Sequence, residues 1–501
     1  MTRYFLAACA LLAVGLPVQA SSPEDSIVKI LTKIRGPNVL RPWTKAQPFE
    51  VEGTGVVIEG NKILTNAHLV HYAEEVEVQF RPGQRKYPAR VEGVGLDMDL
   101  AVLSVQAKDF FSKHPPLPRS KKVPTIRDNV TFYGFPVGGD DLAVSRGLIA
   151  RIEHGKYDYR GFGLRIQVSA PINPGNSGGP ALVDGQMVGL VFGRGEGQNV
   201  GYVVPNEEIN LFLEDIKDGR YDGKALLPGG MTYQAITNKT LREMLKLDDE
   251  VTGVMLSPST TIPKNVPLQP LDVITHIGPY SIDEEGMVRV PGRLGRMPFR
   301  EVAHTLAEKE NKVPFTVIRQ GKALTVHLPV STRDTRLIRE FRGEQPSYFL
   351  YGPLVFSPAR LDAISIYRRM NPLMSYLQSP LIVRVMDQQR FPGEELVVVT
   401  RPMFAHKCVK GYEDPAGYVL QAINGQPIKN LKHLVEVLRD LEDPYVKIRF
   451  AERHSGILIL PRAEMEKVTQ EVMEENGIPT HRRMSADVRA IWKKTEKADK
   501  P

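Results

Sequence analysis

The stretch Pro174-Gly175-Asn176-Ser177-Gly178-Gly179-Pro180 has the strongest chemical character in the chain. A serine hydroxyl is a poor nucleophile until a base takes its proton, and the oxyanion formed at an attacked carbonyl needs fixed backbone donors beside it. Glycines on both sides of one serine let the backbone approach a substrate and turn its N–H groups toward one point. Gly-Ser-Gly alone reads as a surface turn; seven residues of this composition between two apolar strands point to a nucleophile. The candidate base is His68 in Thr65-Asn66-Ala67-His68-Leu69-Val70, held at a strand end by the preceding GVVIEGNKILT hairpin. His71 is its local competitor, set back behind Leu69-Val70. An orienting carboxylate comes from Asp97-Met98-Asp99-Leu100-Ala101-Val102-Leu103. Asp99 abuts the apolar strand and can be drawn under the histidine, out of water, where its charge stabilises the imidazolium; Asp97 is the exposed alternative.

These residues need a rigid support. From Val51 the chain runs in short β-branched segments broken by Gly53, Gly55 and Gly60, and the pattern continues to about residue 205. About a dozen close-spaced strands with few helices predict closed or paired antiparallel barrels. The first clear helical spacing is Ile209, Leu211, Phe212 and Ile216, which places a domain end near residue 220. Residues 221–230 read as a linker. Two α+β units follow, 226–335 and 345–462; in both, a strand and turn precede a helix of about ten residues and a hairpin closes the unit, which suggests a divergent duplication. Residues 21–49 form an N-terminal segment and 463–501 a charged helical tail, frayed at its end.

The length of 501 residues corresponds to roughly three domains at about 150 residues each. Hydrophobic residues at 42% and charged residues at 25% exclude a disordered polar chain and a many-span membrane protein. The net charge of +7 is interspersed along the chain, so nucleic acid is not an expected partner. Residues 1–20 place Arg3 before an apolar run from Tyr4 to Leu16, then Pro17 and Val18-Gln19-Ala20. That is the pattern of a secretory signal cleaved after Ala20, too short to serve as a membrane span. Cleavage removes Cys9 and leaves Cys408, read as a buried structural thiol, so no internal disulfide forms and stability must come from the cores. The eleven histidines lack metal-ligand spacing and no Walker-type loop occurs, so neither a metal nor any other cofactor, ATP included, is expected.

The chain order His68, Asp99, Ser177 is the one used by double-barrel chymotrypsin-type proteases. TNAHLV, DLAVL and NPGNSGGPAL resemble the trypsin-like proteases of the Deg/HtrA family, and the two following units resemble PDZ domains. PSYFLYGPLVF and GYVLQAINGQPIKNL resemble in particular the plant-type Deg proteases and their bacterial relatives. The resemblance covers about residues 50 to 460. It implies a mainly β protein, with a chymotrypsin-like double β-barrel over 50–220 followed by two PDZ-like α+β domains. It makes Ser177 the nucleophile, His68 the general base and then acid, Asp99 the orienter, and Gly175, Asn176 and Ser177 the oxyanion hole.

Pro171 stands where trypsin-like enzymes selective for basic side chains carry an aspartate. The expected pocket walls, Phe192, Gly193, Val200 and Gly201, are mostly apolar, which implies cleavage after small or medium aliphatic residues. Ser169-Ala170-Pro171 departs from the Asp-Ala-Ala frequent in relatives and stiffens the pocket mouth. In the first PDZ-like unit, Gly229, Gly230, Met231 and Thr232 form the candidate loop for a peptide's terminal carboxylate. In the second, Pro353 lacks a donor, which favours an assembly surface and trimers or hexamers. The implied activity is an exported, ATP-independent serine endopeptidase acting on unfolded or damaged polypeptides. The alternative is a PDZ scaffold or chaperone with little proteolysis, and retention of all three candidate catalytic residues favours the enzyme.

Overall fold

Six strands close the first barrel: β1 (Ile27–Ile34), β2 (Phe49–Ile58), β3 (Lys62–Thr65), β4 (Ala73–Gln79), β5 (Lys86–Gly95) and β6 (Leu100–Val105), in the order β1-β2-β3-β6-β5-β4. Six more close the second: β7 (Asn129–Gly134), β8 (Ala143–Lys156), β9 (Phe162–Ser169), β10 (Pro180–Val183), β11 (Gln186–Arg194) and β12 (Val200–Pro205), in the order β10-β11-β12-β9-β8-β7. This computed structural model describes residues 22–493 apart from 108, 158–160, 196–198, 259–261, 263–265, 294, 308–310 and 333. The expected signal over 1–20 therefore lies outside the described residues.

Each barrel has its own apolar filling. Val28, Ile30, Val57, Ile63, Val78 and Leu103 fill the first, and Val130, Phe132, Ile166, Val168, Val191 and Val203 the second. A third cluster lies in the seam, where Val56, Leu64, Met98 and Leu100 of the first barrel meet Leu182, Leu190, Phe192 and Val204 of the second. The helix Asn206–Asp215 buries Ile209 and Phe212 in this seam, the placement its apolar spacing predicts.

The N-terminal boundary needs correction. β1 lies inside the segment set apart as 21–49, yet it pairs with both β2 and β4. Without it both would be open edges. Between β1 and β2 the chain leaves the barrel, and Trp43 packs on Tyr348 and Phe404 of the third unit.

In the second unit the strands Tyr233–Ala235, Val254–Leu256, Val273–Ile277, Lys312–Arg319 and Lys322–Pro329 form a sheet in that order. Its core helix, Phe299–Val302 and the 3-10 turn Ala303–Thr305, is shorter than the expected ten residues. The third unit has one sheet of Phe349–Tyr351, Leu354–Pro358 and Val397–Val399. A second contains Gln426–Pro427, Leu420–Ile423, Tyr445–Phe450 and Ile457–Pro461, with the helix Leu431–Arg439. The segment after residue 462 is helical, as expected, and packs on this unit; most of the end expected to fray lies beyond residue 493, outside the described residues. Helices Met465–Glu475 and Ala486–Trp492 bury Met465, Val468, Val472 and Val488 in the same core as Phe349 and Leu434. Their charges lie on the outer face, and composition alone hides the apolar stripe. Cys408 is half-buried, with Sγ 3.0 Å from His406 Nδ1.

One buried acid makes this unit sensitive to pH. Glu452 is 3% exposed; burial pushes its carboxyl up from 4.5 to about 7, although it accepts from the Ser379 hydroxyl at 2.7 Å and from the Val419 N–H at 3.0 Å. A carboxyl raised in the fold costs nothing extra below the unfolded value, where both states are protonated. As pH rises from 4.5 through 7, the unfolded chain ionises first, and about 3 kcal/mol of stability is lost. Both tryptophans, Trp43 and Trp492, border this core, so their fluorescence follows its unfolding. We expect Glu452→Gln to flatten the fall in denaturation midpoint between pH 4.5 and 8; an unchanged slope would assign the pH dependence to other groups.

Candidate active site

His68 sits in the 3-10 turn Ala67–Leu69, directly after β3. Leu69 clamps that turn to β2, filling the space over Gly53, where an added Cβ would lie 2.4 Å from Leu69 Cδ1. Asp99 ends the tight turn into β6 with φ +50°, a left-handed conformation that aspartate tolerates better than most residues. Its side chain is fully buried and holds His68 twice. Oδ1 accepts the His68 backbone N–H at 2.9 Å, and Oδ2 lies 2.8 Å from ring Nδ1. An ionised carboxylate only accepts, so the proton belongs on Nδ1 and Nε2 presents its lone pair. Asn66 completes the arrangement by donating from Nδ2 to the Asp99 carbonyl at 2.9 Å.

The two competitors have other surroundings. Asp97 accepts the Tyr221 hydroxyl at 2.5 Å, tying the loop before β6 to the linker. His71 is buried against Tyr72 at a ring distance of 3.9 Å and faces Gly343 of the third unit; burial drives its pKa down to about 4. It stays neutral and far from water.

The turn carrying Ser177 can be audited group by group, since buried backbone donors and acceptors must be paired. The Pro174 carbonyl accepts from Val137 N–H at 2.8 Å, the Asn176 carbonyl from Gly179 N–H at 3.0 Å, and the Ser177 carbonyl from Thr54 N–H at 2.9 Å. The Gly175 carbonyl accepts the Thr54 hydroxyl at 2.7 Å. Asn176 N–H goes to the Asn173 carbonyl at 3.1 Å, and Gly178 N–H to Val191 at 2.8 Å. Two donors are left without an acceptor among the described residues: the N–H groups of Gly175 and Ser177. Asn176 therefore supplies spacing to this loop and no free backbone donor.

The glycines are required by geometry. Gly175 has φ +95° and a Cβ there would lie 2.2 Å from the Phe135 carbonyl; Gly178 has φ +83° and its Cβ would lie 1.9 Å from the Thr54 carbonyl.

The expected pocket residues separate. Pro171 is exposed, and Phe192 is 4% exposed, stacked on Tyr202 at 6.0 Å and edge-on to Tyr157 at 4.9 Å in the barrel seam. Phe192 is a core residue because pleating turns Val191 into the barrel and Phe192 onto the packed seam between the two barrels. Gly193 borders open space, and Val200 is half-buried beside Gly195. Gly201 is overlaid by Ile172, whose Cγ1 would meet an added Cβ at 2.2 Å. Ile172 was missed in the sequence, although its position between Pro171 and Asn173 was the available signal. Ile172 is buried there, in the core of the second barrel.

In the second unit, Met231 is buried, and its carbonyl accepts from the Arg300 guanidinium at 2.6 Å, with Arg300 lying 4.5 Å over the Tyr233 ring. Gly230 takes φ +82°, the Thr232 carbonyl accepts from Ser257 N–H at 2.9 Å, and Gly229 lies under the Gln388 amide of the third unit. The strand Tyr233–Ala235 is the sheet's edge. The corresponding place in the third unit is closed. Tyr351 pairs with Leu354 across a two-residue turn, and Gly352 N–H donates to Thr469 Oγ1 at 2.8 Å.

Comparison with known proteins agrees with this architecture. A trypsin-like peptidase domain matches residues 53–190 and a PDZ domain residues 339–487. Protease Do-like 2, chloroplastic, of Arabidopsis thaliana is 32% identical over 481 residues, covering 93% of this chain and 75% of that protein. Protease Do-like 4, mitochondrial, of the same plant is 29% identical over 464 residues, covering 91% and 84%. The serine protease DegP homolog of Plasmodium falciparum (isolate 3D7) is 37% identical over 226 residues, covering 44% and 26%. With a double barrel, PDZ-type units and identity sustained over nearly its whole length, the chain belongs to the Do-like, or Deg/HtrA, family of serine endopeptidases.

Proposed function

We propose that Ser177, His68 and Asp99 are the catalytic residues of this endopeptidase. Ser177 Oγ attacks the scissile carbonyl while His68 Nε2 takes its proton, and buried Asp99 stabilises the imidazolium. The tetrahedral oxyanion is received by the N–H groups of Gly175 and Ser177. As the C–N bond breaks, His68 returns the proton to the leaving amine; water, activated by the same imidazole, then releases the acyl chain and regenerates the serine hydroxyl. No nucleotide takes part in these steps. Two observations support this reading: Asp99 holds His68 by two hydrogen bonds, and among the described residues the only unclaimed backbone donors of the serine turn are the Gly175 and Ser177 N–H groups.

The substrates we infer are unfolded or damaged polypeptides, since an extended chain is what the sheet edge Tyr233–Ala235 can pair with. The edge Tyr233–Ala235 and the loop Gly229–Thr232 take a peptide end, while the third unit serves assembly into trimers or hexamers. Export to the periplasm or beyond rests on residues 1–20 alone; the plant relatives are named for chloroplast and mitochondrion.

A fluorophosphonate probe should label the wild-type chain and not Ser177→Ala. Substitution of His68 by alanine should lower kcat by at least about 10³-fold with a folded protein. A peptide-cleaving wild type that takes no label would remove Ser177 from this role. For specificity, we expect peptides with valine before the scissile bond to be cleaved faster than those with arginine by roughly tenfold or more, read as kcat/KM, because Pro171 offers no counter-charge. Faster cleavage after arginine would refute the aliphatic pocket.

A further inference from the structure

One residue outside the motifs around His68, Asp99 and Ser177 touches the serine turn at two points. Thr54, on β2 of the first barrel, is fully buried. Its hydroxyl donates to the Gly175 carbonyl at 2.7 Å and accepts the Phe135 N–H at 3.0 Å. Its backbone N–H donates to the Ser177 carbonyl at 2.9 Å, and its own carbonyl accepts the Thr65 hydroxyl at 2.8 Å, three residues before His68. One residue of the first barrel thus touches the carbonyls on both sides of Asn176, the exit from β7, and the strand that leads to the histidine.

A peptide plane is rigid, so fixing a carbonyl fixes the N–H on its opposite edge. The Gly175 residue carries φ +95°, where two neighbouring planes can swing about a glycine at little cost. The plane before it, which carries the Gly175 N–H, is held by Val137 on the Pro174 carbonyl; the plane after it, between the two oxyanion donors, is held by the Thr54 hydroxyl on the Gly175 carbonyl and by the Asn173 carbonyl on the Asn176 N–H. Removing that hydroxyl leaves the Gly175 carbonyl and the Phe135 N–H unpaired in a dry site, and rotation of the Gly175 planes is the cheapest way to repair them. The plane after Gly175 joins those carrying the Gly175 and Ser177 N–H groups, so its rotation changes the angle between the two donors.

We propose that Thr54 is the positioning residue of the oxyanion turn, its side-chain hydroxyl holding, from across the barrel seam, the peptide plane that joins the Gly175 and Ser177 donors. This rests on the roles proposed for Ser177 and Gly175. Thr54 does not touch substrate; it acts through Gly175.

The test compares Thr54→Val, which deletes the hydroxyl at nearly constant shape, with Thr54→Ser, which keeps it. Four quantities are measured: kcat and KM on an aliphatic peptide amide, the affinity of a peptidyl boronic acid, that of the non-covalent product peptide, and Tm. The boronic acid bonds to the serine oxygen and becomes a tetrahedral anion, so it reports on the hole; the product peptide reports on the cleft. For Thr54→Val we expect kcat to fall roughly 10 to 100-fold and boronate affinity to fall by the same factor, with KM and product affinity within about threefold. Thr54→Ser should recover most of the loss.

A valine variant whose kcat and boronate affinity stay within about threefold of wild type overturns the proposal. Equal losses in the valine and serine variants overturn it too. If the valine chain does not fold, Thr54→Ala carries the same comparison; failure of both to fold, with a folded serine variant, also counts against the proposal, since the hydroxyl then serves folding. A wild type that takes no fluorophosphonate would instead count against Ser177 as nucleophile, so the two failures are distinguishable.

Discussion

A carboxylate with no exposure to water sits where the first barrel turns toward the second, and much of the local structure follows from making that burial tolerable. Removing an ion from water costs several kcal/mol unless hydrogen bonds replace its hydration. Asp99 obtains them from the backbone and the ring of one histidine, at 2.9 and 2.8 Å. Both bonds require the turn Ala67–Leu69 to stay against the turn that ends in Asp99. Leu69 over Gly53 and Asn66 on the Asp99 carbonyl supply that restraint. The acid could not be satisfied by a mobile histidine, so the condition that makes burial affordable is also the one that aims the imidazole.

The second barrel is joined to this arrangement through backbone groups more than through side-chain charge. Thr54 reaches across the seam to Gly175 and Ser177, and the apolar cluster of Leu64, Leu100, Leu190, Phe192 and Phe212 keeps the two halves from sliding. Beyond the seam, a second set of buried charges fastens the next unit to the barrel. Glu208 of the helix Asn206–Asp215 accepts from Leu164 N–H at 3.0 Å and pairs with Lys224 of the linker at 2.9 Å, and Lys224 lies 3.8 Å from Glu301 of the following unit. One ammonium shared by two buried carboxylates is costly to break and ties three segments together.

The sequence makes the barrels legible because β-branched runs, glycine breaks and the nucleophile turn are local patterns. It conveys less where a residue's role depends on which face it presents. Phe192 has the composition of a pocket wall, yet pleating turns it into the seam with Tyr157, while Ile172, one residue from the flagged Pro171, takes the place over Gly201. β1 was lost to an N-terminal segment because its partners β2 and β4 are distant in the chain, and long-range pairing leaves no local mark. The helices after residue 463 read as tail since charges are interleaved with their apolar residues, although Val468 and Val472 stack one turn apart on the buried side. Thr54 carries no signal of its own. Its importance comes from four partners separated from it by as many as 123 residues, which only the closed barrels bring together.

The same reasoning accounts for the unequal fates of the two C-terminal units. A strand edge next to a helix is where an incoming chain can pair. In the second unit the strand Tyr233–Ala235 remains the edge, and its loop is long enough for Gly230 to adopt a left-handed turn while Arg300 holds the Met231 carbonyl. In the third, the turn at Gly352-Pro353 has only two residues, so the chain doubles back and Phe349–Tyr351 pairs with Leu354–Phe356. Met484 then bridges to Phe349, and Thr469 takes the Gly352 N–H. A proline with no donor and a glycine whose donor is spent leave no anion-binding loop. The C-terminal helices complete the closure by burying their apolar face over the same hairpin, which is why a segment with the composition of a solvated tail is folded here.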